Sequence, residues 1–162
     1  MTDQMKLNGP SVSPLASGAP QQLVIFLHGV GADGNDLIGL APYFQKMLPS
    51  ALFVSPDAPF PFDMAPMGRQ WFSLNDVSPP TLLKGVRNAA PALNAFIDEK
   101  LAECGLDESR LLLVGFSQGT MMALYAGLRR QKTISRDYRL FRRSRRIPPS
   151  LRRNRLIPSC SS

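Results

Sequence analysis

The chain has 162 residues, 44% of them hydrophobic, which is enough for one domain with a folded core. Its net charge of +7 is unevenly spread: residues 1–127 carry 7 basic and 11 acidic residues, a net −4, whereas residues 128–162 carry 12 and one, a net +11. This separation argues against a uniformly basic nucleic-acid-binding domain. No apolar run reaches the ~20 residues of a membrane helix, and no secretory signal pattern opens the chain, so we expect a cytoplasmic protein. The two distant cysteines, Cys104 and Cys160, predict neither a disulfide framework nor a zinc site.

The pattern of apolar residues predicts strands and helices in alternation. In chain order we expect a flexible arm over residues 1–20 that adds at most an edge strand, a strand over 23–27, a helix over 37–48, a strand over 51–55, a packed loop over 56–75, a helix over 81–103, a strand over 111–114 and a helix over 120–130. Asn35 or Asp36 should cap the first helix, Pro42 should kink or split it, and Gly105 should end the second. The strands are continuous apolar runs, as in strands buried on both faces of a sheet. This order indicates an α/β fold with a mainly parallel sheet.

The segment Gly115-Phe116-Ser117-Gln118-Gly119 matches the Gly-x-Ser-x-Gly pattern of a nucleophile elbow. In such a turn, a strained backbone between a strand and a helix exposes the serine hydroxyl, which becomes a nucleophile when a base takes its proton. The next backbone N–H, that of Gln118, then points at the developing oxyanion. Three fixed residues are a weak signal, and an ordinary strand-to-helix turn also fits them. The apolar strand before the motif and the helix after it favour the elbow.

The glycine-rich turn His28-Gly29-Val30-Gly31 has two interpretations. A serine hydrolase needs a second oxyanion donor from a loop beside the elbow, and the backbone N–H of Val30 would supply it. The longer string over residues 29–34 also satisfies the Gly-x-Gly-x-x-Gly pattern of a dinucleotide-binding turn, with Asp57 as the acid that would bind the ribose. On these residues alone, both interpretations stay open.

Three segments in order and spacing resemble the phospholipase/carboxylesterase family of α/β-hydrolases, which includes bacterial carboxylesterases and acyl-protein thioesterases. They are residues 27–34, the Gly68-Arg69-Gln70-Trp71-Phe72 segment and the elbow, and the resemblance covers about residues 20–130. Three motifs in register are more specific than one, so the hydrolase interpretation outweighs the dinucleotide one.

The resemblance implies a partial α/β-hydrolase domain over residues 21–130, with a mainly parallel sheet and flanking helices but without the family's C-terminal strands. It implies hydrolysis of small carboxylic esters, lysophospholipid-like esters or thioesters, with no metal or organic cofactor. The matched site residues are Ser117 as the nucleophile, Val30 and Gln118 as the two oxyanion-hole donors, and Trp71 as an aromatic residue beside the acyl pocket. For Trp71, simple core packing is the alternative. His28 matches a structural histidine of the family and does not match its catalytic base.

This chain departs from the family after the elbow helix, where further strands carry first the triad aspartate and then the triad histidine. After Ser117 the sequence has one acidic residue, Asp137, and no histidine. The general base and its orienting acid are therefore missing, and we predict little or no esterase turnover. Without the later strands, we expect residues 111–114 to form an exposed and aggregation-prone sheet edge.

Near Thr133 the composition changes abruptly to Arg, Ser and Pro, which predicts a disordered, Arg-rich tail over residues 131–162. We interpret the change as a truncation or a shift of reading frame after about residue 130. Translating the same DNA in the other two frames tests this hypothesis, because a later aspartate and histidine should then appear. The alternative is a tail that binds a polyanion such as nucleic acid or anionic lipid. Few aromatic residues lie between the arginines, which disfavours nucleic acid as the partner.

Overall fold

The computed structural model describes residues 5–130. In chain order, its elements are β1 (Ser11–Val12), β2 (Gln22–Leu27), α1 (Gly34–Ile38), α2 (Ala41–Gln45), β3 (Ala51–Val54), β4 (Phe60–Pro61), β5 (Arg69–Gln70), α3 (Pro79–Cys104), a 3-10 turn (Glu108–Arg110), β6 (Leu111–Gly115) and α4 (Gln118–Arg129). Four strands form one sheet in the order β1-β3-β2-β6, and β4 and β5 form a small antiparallel hairpin. The predicted tail lies outside the described residues.

The main sheet is parallel except at one edge, which confirms the predicted α/β fold class. Strand β2 runs parallel to β3 on one side and to β6 on the other, while β1 pairs with β3 in the antiparallel direction. The five apolar residues 23–27 of β2 are completely buried, as their continuous hydrophobic run predicts for a central strand. Within the described part of the chain, β6 pairs with β2 alone and so forms an edge, as expected.

Helices cover both faces of the sheet and define two layers of core. Because side chains alternate along a strand, Leu23, Ile25 and Leu27 pack among residues of α3 and α4, while Val24 and Phe26 pack on the opposite face. On that second face, the rings of Phe26, Phe44 and Phe53 contact one another. Both layers converge on β2, which therefore holds the turn that follows it in a fixed position.

The predicted helix over residues 37–48 is two short helices. Helix α2 has Pro42 in its first turn, where a missing N–H costs nothing, so the proline splits the helix as expected. The cap of α1 was predicted wrongly: Asp33 caps it by accepting a hydrogen bond from the Asn35 N–H at 2.8 Å. Helix α3 ends as predicted, with Gly105 in the left-handed conformation at φ 63°.

The long loop over residues 56–75 is packed, as its aromatic residues predict. The β4–β5 hairpin lies within it, and Trp71 and Phe72 that follow the hairpin are buried. The N-terminal segment is joined to the same region, because the Ser55 and Asp57 N–H groups donate to carbonyl groups of that segment at 3.0 and 2.8 Å. Loop, hairpin and N-terminal segment thus support the turn that follows β2.

Candidate active site

Ser117 lies at the sharp turn between β6 and α4, at the carboxyl end of a parallel strand. Its backbone has φ 50° and ψ −117°, and in the described part of the chain no other residue except glycine has a positive φ. An L-residue is strained in this region, and such strain persists where the surroundings enforce it, often at functional sites. The side chain of Ser117 is exposed. A strained, exposed serine between a strand and a helix is the geometry that the Gly-x-Ser-x-Gly pattern predicts.

The two glycines of the motif are required by close backbone contacts. A Cβ atom built on Gly119 would lie 1.9 Å from the Leu27 carbonyl oxygen, and one built on Gly115 would lie 2.4 Å from the Gly119 carbonyl oxygen. Both contacts are with backbone atoms, which cannot move aside as a flexible side chain does. Gly119 is therefore required because the elbow packs against the end of β2, and Gly115 is required because the start of α4 folds back onto β6.

Residues 28–32 follow β2 and are called the oxyanion loop, because Val30 is predicted to be an oxyanion donor. This loop is adjacent to the elbow. The Phe116 N–H donates to the Leu27 carbonyl oxygen at 3.0 Å, and a Cβ atom on Gly29 would lie 3.3 Å from the Ser117 Cβ atom. The Gln118 N–H is in the first position of α4, where it has no partner inside the helix. In the described structure, the N–H groups of Gly31 and Ala32 hold the loop, whereas the Val30 N–H takes no part in that backbone bonding. The loop that carries Val30 and the start of α4 thus both lie next to the serine.

His28 is the only histidine of the sequence, and its side chain is fully buried. Its Nε2 accepts the Ala58 N–H at 2.9 Å, so the ring proton is on Nδ1, which donates to the Gly29 carbonyl oxygen at 2.7 Å. Both ring nitrogens are therefore occupied by backbone groups of the two loops. His28 therefore connects the start of the oxyanion loop to the segment that contains Ala58.

The Gln118 side chain joins the elbow to the loop that carries Trp71. It is buried, and its Oε1 accepts the Trp71 N–H at 2.8 Å while its Nε2 donates to the Phe72 carbonyl oxygen at 2.7 Å. The Trp71 indole in turn donates from Nε1 to the His28 carbonyl oxygen at 3.0 Å. One glutamine thus holds the Trp71–Phe72 loop, and one indole holds the start of the oxyanion loop.

Trp71 is completely buried, so its ring packs behind the elbow. A groove of about 510 Å³ opens between the β4–β5 hairpin and α3, lined by Phe60, Phe72 and Lys84 among others, but neither Ser117 nor Trp71 lines it. The structure therefore places Ser117 at the surface and Val30 partly exposed in the loop after β2, while Gln118 and Trp71 are buried beneath the elbow.

Sequence reasoning missed the part that Arg69 plays in holding the site. Its Nε donates to the Ala58 carbonyl oxygen at 2.8 Å, and its backbone exchanges hydrogen bonds with the oxyanion loop, accepting from Gly31 and donating to Ala32. Arg69 lies inside a segment that the resemblance singled out, which is the signal that was available. Ala58 carries no such signal, because it contributes only its backbone.

The dinucleotide interpretation is wrong for this turn. The Asp57 carboxylate accepts the Gly34 N–H at 2.7 Å and so secures the start of α1, which has only five residues. A Cβ atom on Gly34 would lie 2.1 Å from the Ser55 carbonyl oxygen, so this glycine is explained by packing against the end of β3. The glycines and the acid that suggested a nucleotide site are used for internal structure.

In residues 5–130, no three His, Cys, Asp or Glu side chains are grouped to hold a metal ion. None of the helices found there is long and apolar enough to cross a membrane.

Known proteins match this chain over most of its length. A family model described as Phospholipase/Carboxylesterase matches residues 11–138. The solved structure of esterase PE8 is 44% identical, with a TM-score of 0.71, and the match covers 76% of this chain and 58% of that one. The carboxylesterase from Mesorhizobium loti (21% identity, TM-score 0.57, 81% of this chain and 58% of that one) and acyl-protein thioesterase 2 from Zea mays (24%, 0.52, 74% and 50%) share the fold. This chain thus spans little more than half the length of the structures it matches.

Proposed function

The chain belongs to the phospholipase/carboxylesterase family, and we propose that Ser117 is the nucleophile of an acyl-transfer site for small carboxylic esters, with low turnover in this chain. The family and its solved neighbours are of the esterase and thioesterase type of hydrolase. The observation that carries the proposal is the strained backbone of Ser117, which exposes its hydroxyl beside two candidate oxyanion donors. An ordinary strand-to-helix turn has no need for that strain.

The proposed reaction proceeds by an acyl-enzyme. A base takes the proton of the Ser117 hydroxyl while Oγ bonds to the ester carbonyl carbon, and the carbonyl oxygen becomes an oxyanion that accepts the Val30 and Gln118 N–H groups. The alcohol then leaves with the proton that the base returns, and the acyl group stays on Ser117. Water attacks the acyl carbon with the help of the same base, and the carboxylic acid is released.

The low turnover follows from the missing base. His28 is the only imidazole in the sequence, and backbone groups occupy both of its nitrogens. Arginine stays protonated and cannot take its place. Removing a triad member leaves about 10³–10⁴-fold catalysis over water when the oxyanion hole and binding remain. We therefore propose that the binding and oxyanion elements of the family persist here, while proton transfer does not.

The residues around the serine suggest where an acyl group binds. Phe116 is 62% exposed directly before Ser117, and Val30 is partly exposed beside it. Both are apolar and at least partly exposed, so an acyl chain would contact them first. Trp71, which the family resemblance places beside the acyl pocket, would act from beneath by holding the oxyanion loop.

Chemical rescue with free imidazole tests this proposal. Purified full-length protein and Ser117→Ala are assayed on p-nitrophenyl butyrate over a range of imidazole concentrations, since imidazole alone also cleaves such esters. The rate of the native protein should exceed that of Ser117→Ala by an amount that grows with imidazole, because the exposed hydroxyl admits an external base. Mass spectrometry of the quenched reaction should find a butyryl group on Ser117.

Two results would contradict the proposal. If the native protein and Ser117→Ala hydrolyse the ester equally at every imidazole concentration and no acyl adduct forms, the elbow has no acyl-transfer activity. If the native protein turns over rapidly without imidazole and Ser117→Ala does not, the site is catalytic but a base is present after all.

A further inference from the structure

The oxyanion loop contains a tight turn over residues 29–32. The Ala32 N–H donates to the Gly29 carbonyl oxygen at 3.3 Å, and Gly31 has φ 81°. A positive φ at the third residue is typical of a type II turn, which needs glycine there. The one hydrogen bond of such a turn joins its first and last residues, so the N–H of the second residue, Val30, has no partner inside the turn. This geometry leaves the Val30 N–H available to a ligand.

The turn lies between the elbow and the β4–β5 hairpin. The elbow contacts its first residue, Gly29. The hairpin binds its other end, because the Gly31 N–H donates to the Arg69 carbonyl oxygen at 2.8 Å and the Arg69 N–H donates to the Ala32 carbonyl oxygen at 2.7 Å. Val30 lies between these two contacts in sequence, so the hairpin fixes the half of the turn that the elbow does not contact.

Gly68, directly before β5, packs on the carbonyl group of Gly31. A Cβ atom built on Gly68 would lie 2.2 Å from the Gly31 carbonyl oxygen and 2.7 Å from the Gly31 carbonyl carbon. Gly68 has φ 87°, and its carbonyl oxygen accepts the Phe62 N–H at 3.1 Å. The Phe62 ring also reaches the turn, since a Cβ atom on Gly31 would lie 3.3 Å from it. The hairpin therefore has no room for a methyl group at Gly68 unless the turn moves.

We propose that Gly68 is a positioning residue of the proposed oxyanion hole. It lets the turn lie close enough to the hairpin for the Val30 N–H to face the carbonyl oxygen of an ester at Ser117, and this role rests on the proposed acyl transfer there. An oxyanion donor acts at about 2.7–3.1 Å from the oxyanion. A methyl group on Gly68 would have to displace Gly31 by about 1 Å to reach an ordinary contact, and a misplacement of that size can cost about 100-fold in rate.

The other proposed donor has a separate support. The Gln118 N–H is at the first position of α4, which packs on β6 and α3. The three atoms nearest to a Cβ built on Gly68 all belong to Gly31. A change at Gly68 should therefore displace the turn that carries Val30 and leave Ser117 and the Gln118 N–H in place.

The variant Gly68→Ala tests the proposal in the full-length protein, and Gly18→Ala is its matched control. Gly18 also has a positive φ, 107°, but nothing in the described structure lies within 4 Å of a Cβ built on it, so the control adds backbone strain without a contact. Circular dichroism establishes that the variants are folded. Rates on p-nitrophenyl butyrate are measured at fixed imidazole concentration, and the rate of Ser117→Ala is subtracted. We expect kcat to fall at least about tenfold in Gly68→Ala with KM within about twofold, because the donor acts in the transition state, and Gly18→Ala to match the native protein.

A thiono ester separates the oxyanion hole from a general loss of structure. Sulfur accepts hydrogen bonds weakly, so a working hole favours p-nitrophenyl butyrate over its thiono analogue. The ratio of the two Ser117-dependent rates should fall in Gly68→Ala toward the ratio for imidazole in water, and should keep its native value in Gly18→Ala. In ¹⁵N-labelled protein, the amide signals of Val30 and Gly31 should shift in Gly68→Ala and stay in place in Gly18→Ala.

The possible failures are distinguishable. Unchanged amide signals of Val30 and Gly31 in Gly68→Ala, or a kcat equal to that of Gly18→Ala, overturn the proposal while acyl transfer at Ser117 stands. A native protein without any Ser117-dependent rate contradicts the acyl transfer itself, and the role of Gly68 with it. If Gly68→Ala does not fold, Phe62→Ala takes its place, since it removes the ring that packs on Gly31 and adds no atoms. In that variant kcat and the ester-to-thiono ratio should again fall, and native values would overturn the proposal.

Discussion

Gln118 serves the candidate site with two different parts of its structure. Its backbone N–H, at the start of α4, is a proposed oxyanion donor, while its side chain holds the Trp71 N–H and the Phe72 carbonyl oxygen from within the core. The side chain is 1% exposed, so water cannot replace it in either bond. The orientation of the elbow and that of the loop beneath it are therefore linked through one residue.

Replacing Gln118 by a side chain of similar length measures how much its hydrogen bonds contribute to the free energy of unfolding. In Gln118→Met, the two backbone groups stay buried without partners, at a cost of about 1–3 kcal/mol for each. We expect the free energy of unfolding in urea to fall by about 3 kcal/mol. The control Gln45→Ala removes an exposed bond to the Ser13 carbonyl oxygen and should cost under about 1 kcal/mol. A Gln118→Met protein as stable as the native one would show that the two bonds contribute nothing.

The candidate site residues could be proposed from the sequence, but the residues that hold them in place could not. The Gly-x-Ser-x-Gly pattern identifies Ser117 because the local turn itself demands those residues. By contrast, Ala58 lies 30 positions from His28, and Trp71 lies 47 positions from Gln118. Such contacts depend on which loops the sheet brings together, and no local pattern specifies them.

At the level of elements, continuous hydrophobic runs gave the three parallel strands because a buried strand needs apolar side chains on both faces. Strands β1, β4 and β5 have two residues each, which is too few to show any periodicity. Asp33 was missed as the cap of α1 because three polar residues lie close together, at 33, 35 and 36, and all of them suit a helix start. Short elements are thus determined by the contacts that they make, as with the hairpin under the oxyanion loop.

The start of α3 is organised by Asp76, and this predicts a pH-dependent contribution to stability. Its carboxylate accepts hydrogen bonds from the Thr81 hydroxyl at 2.6 Å, the Ser78 N–H at 2.8 Å and the Ser78 hydroxyl at 3.0 Å. These bonds, led by that from Thr81, lower the pKa of Asp76 below its ordinary value of 3.8. Because folding lowers the pKa, the stabilisation is complete above that ordinary value and is lost as the pH falls through the folded pKa.

We therefore expect Asp76→Asn to unfold at lower urea concentration than the native protein at pH 7 and pH 5. The difference between the two proteins should shrink as the pH is lowered below about 4, because the carboxyl of the unfolded chain then takes up a proton before that of the folded protein. Asp36→Asn, which changes another exposed acid at the start of a helix, is the control for the loss of charge. A difference between native protein and Asp76→Asn that is the same at pH 7 and pH 3 would exclude the carboxylate as its cause.

At the scale of the whole molecule, the chain combines a partial hydrolase fold with a sharply divided charge. The described residues supply β2, β3 and β6, the elbow and the loop after β2, which together contain the proposed oxyanion donors. The strand that carries the elbow, β6, is also the last strand in the order of the described sheet.

The single histidine of the chain leads to a prediction for the pH dependence of ester hydrolysis. A serine hydrolase with an imidazole base shows a rate that rises to a plateau with a midpoint near neutral pH. Here the one imidazole is buried, and Nε2 and Nδ1 bond to backbone groups of residues 58 and 29. If the proposed loss of the base holds, attack depends on hydroxide, and the rate should rise about tenfold per pH unit from pH 6 to pH 9 with no plateau. The measurement is the initial rate on p-nitrophenyl butyrate, followed at the isosbestic wavelength of the product, for native protein and Ser117→Ala in parallel. A plateau present only in the native protein would place an imidazole at the serine, from His28 after a rearrangement of the loop or from another polypeptide.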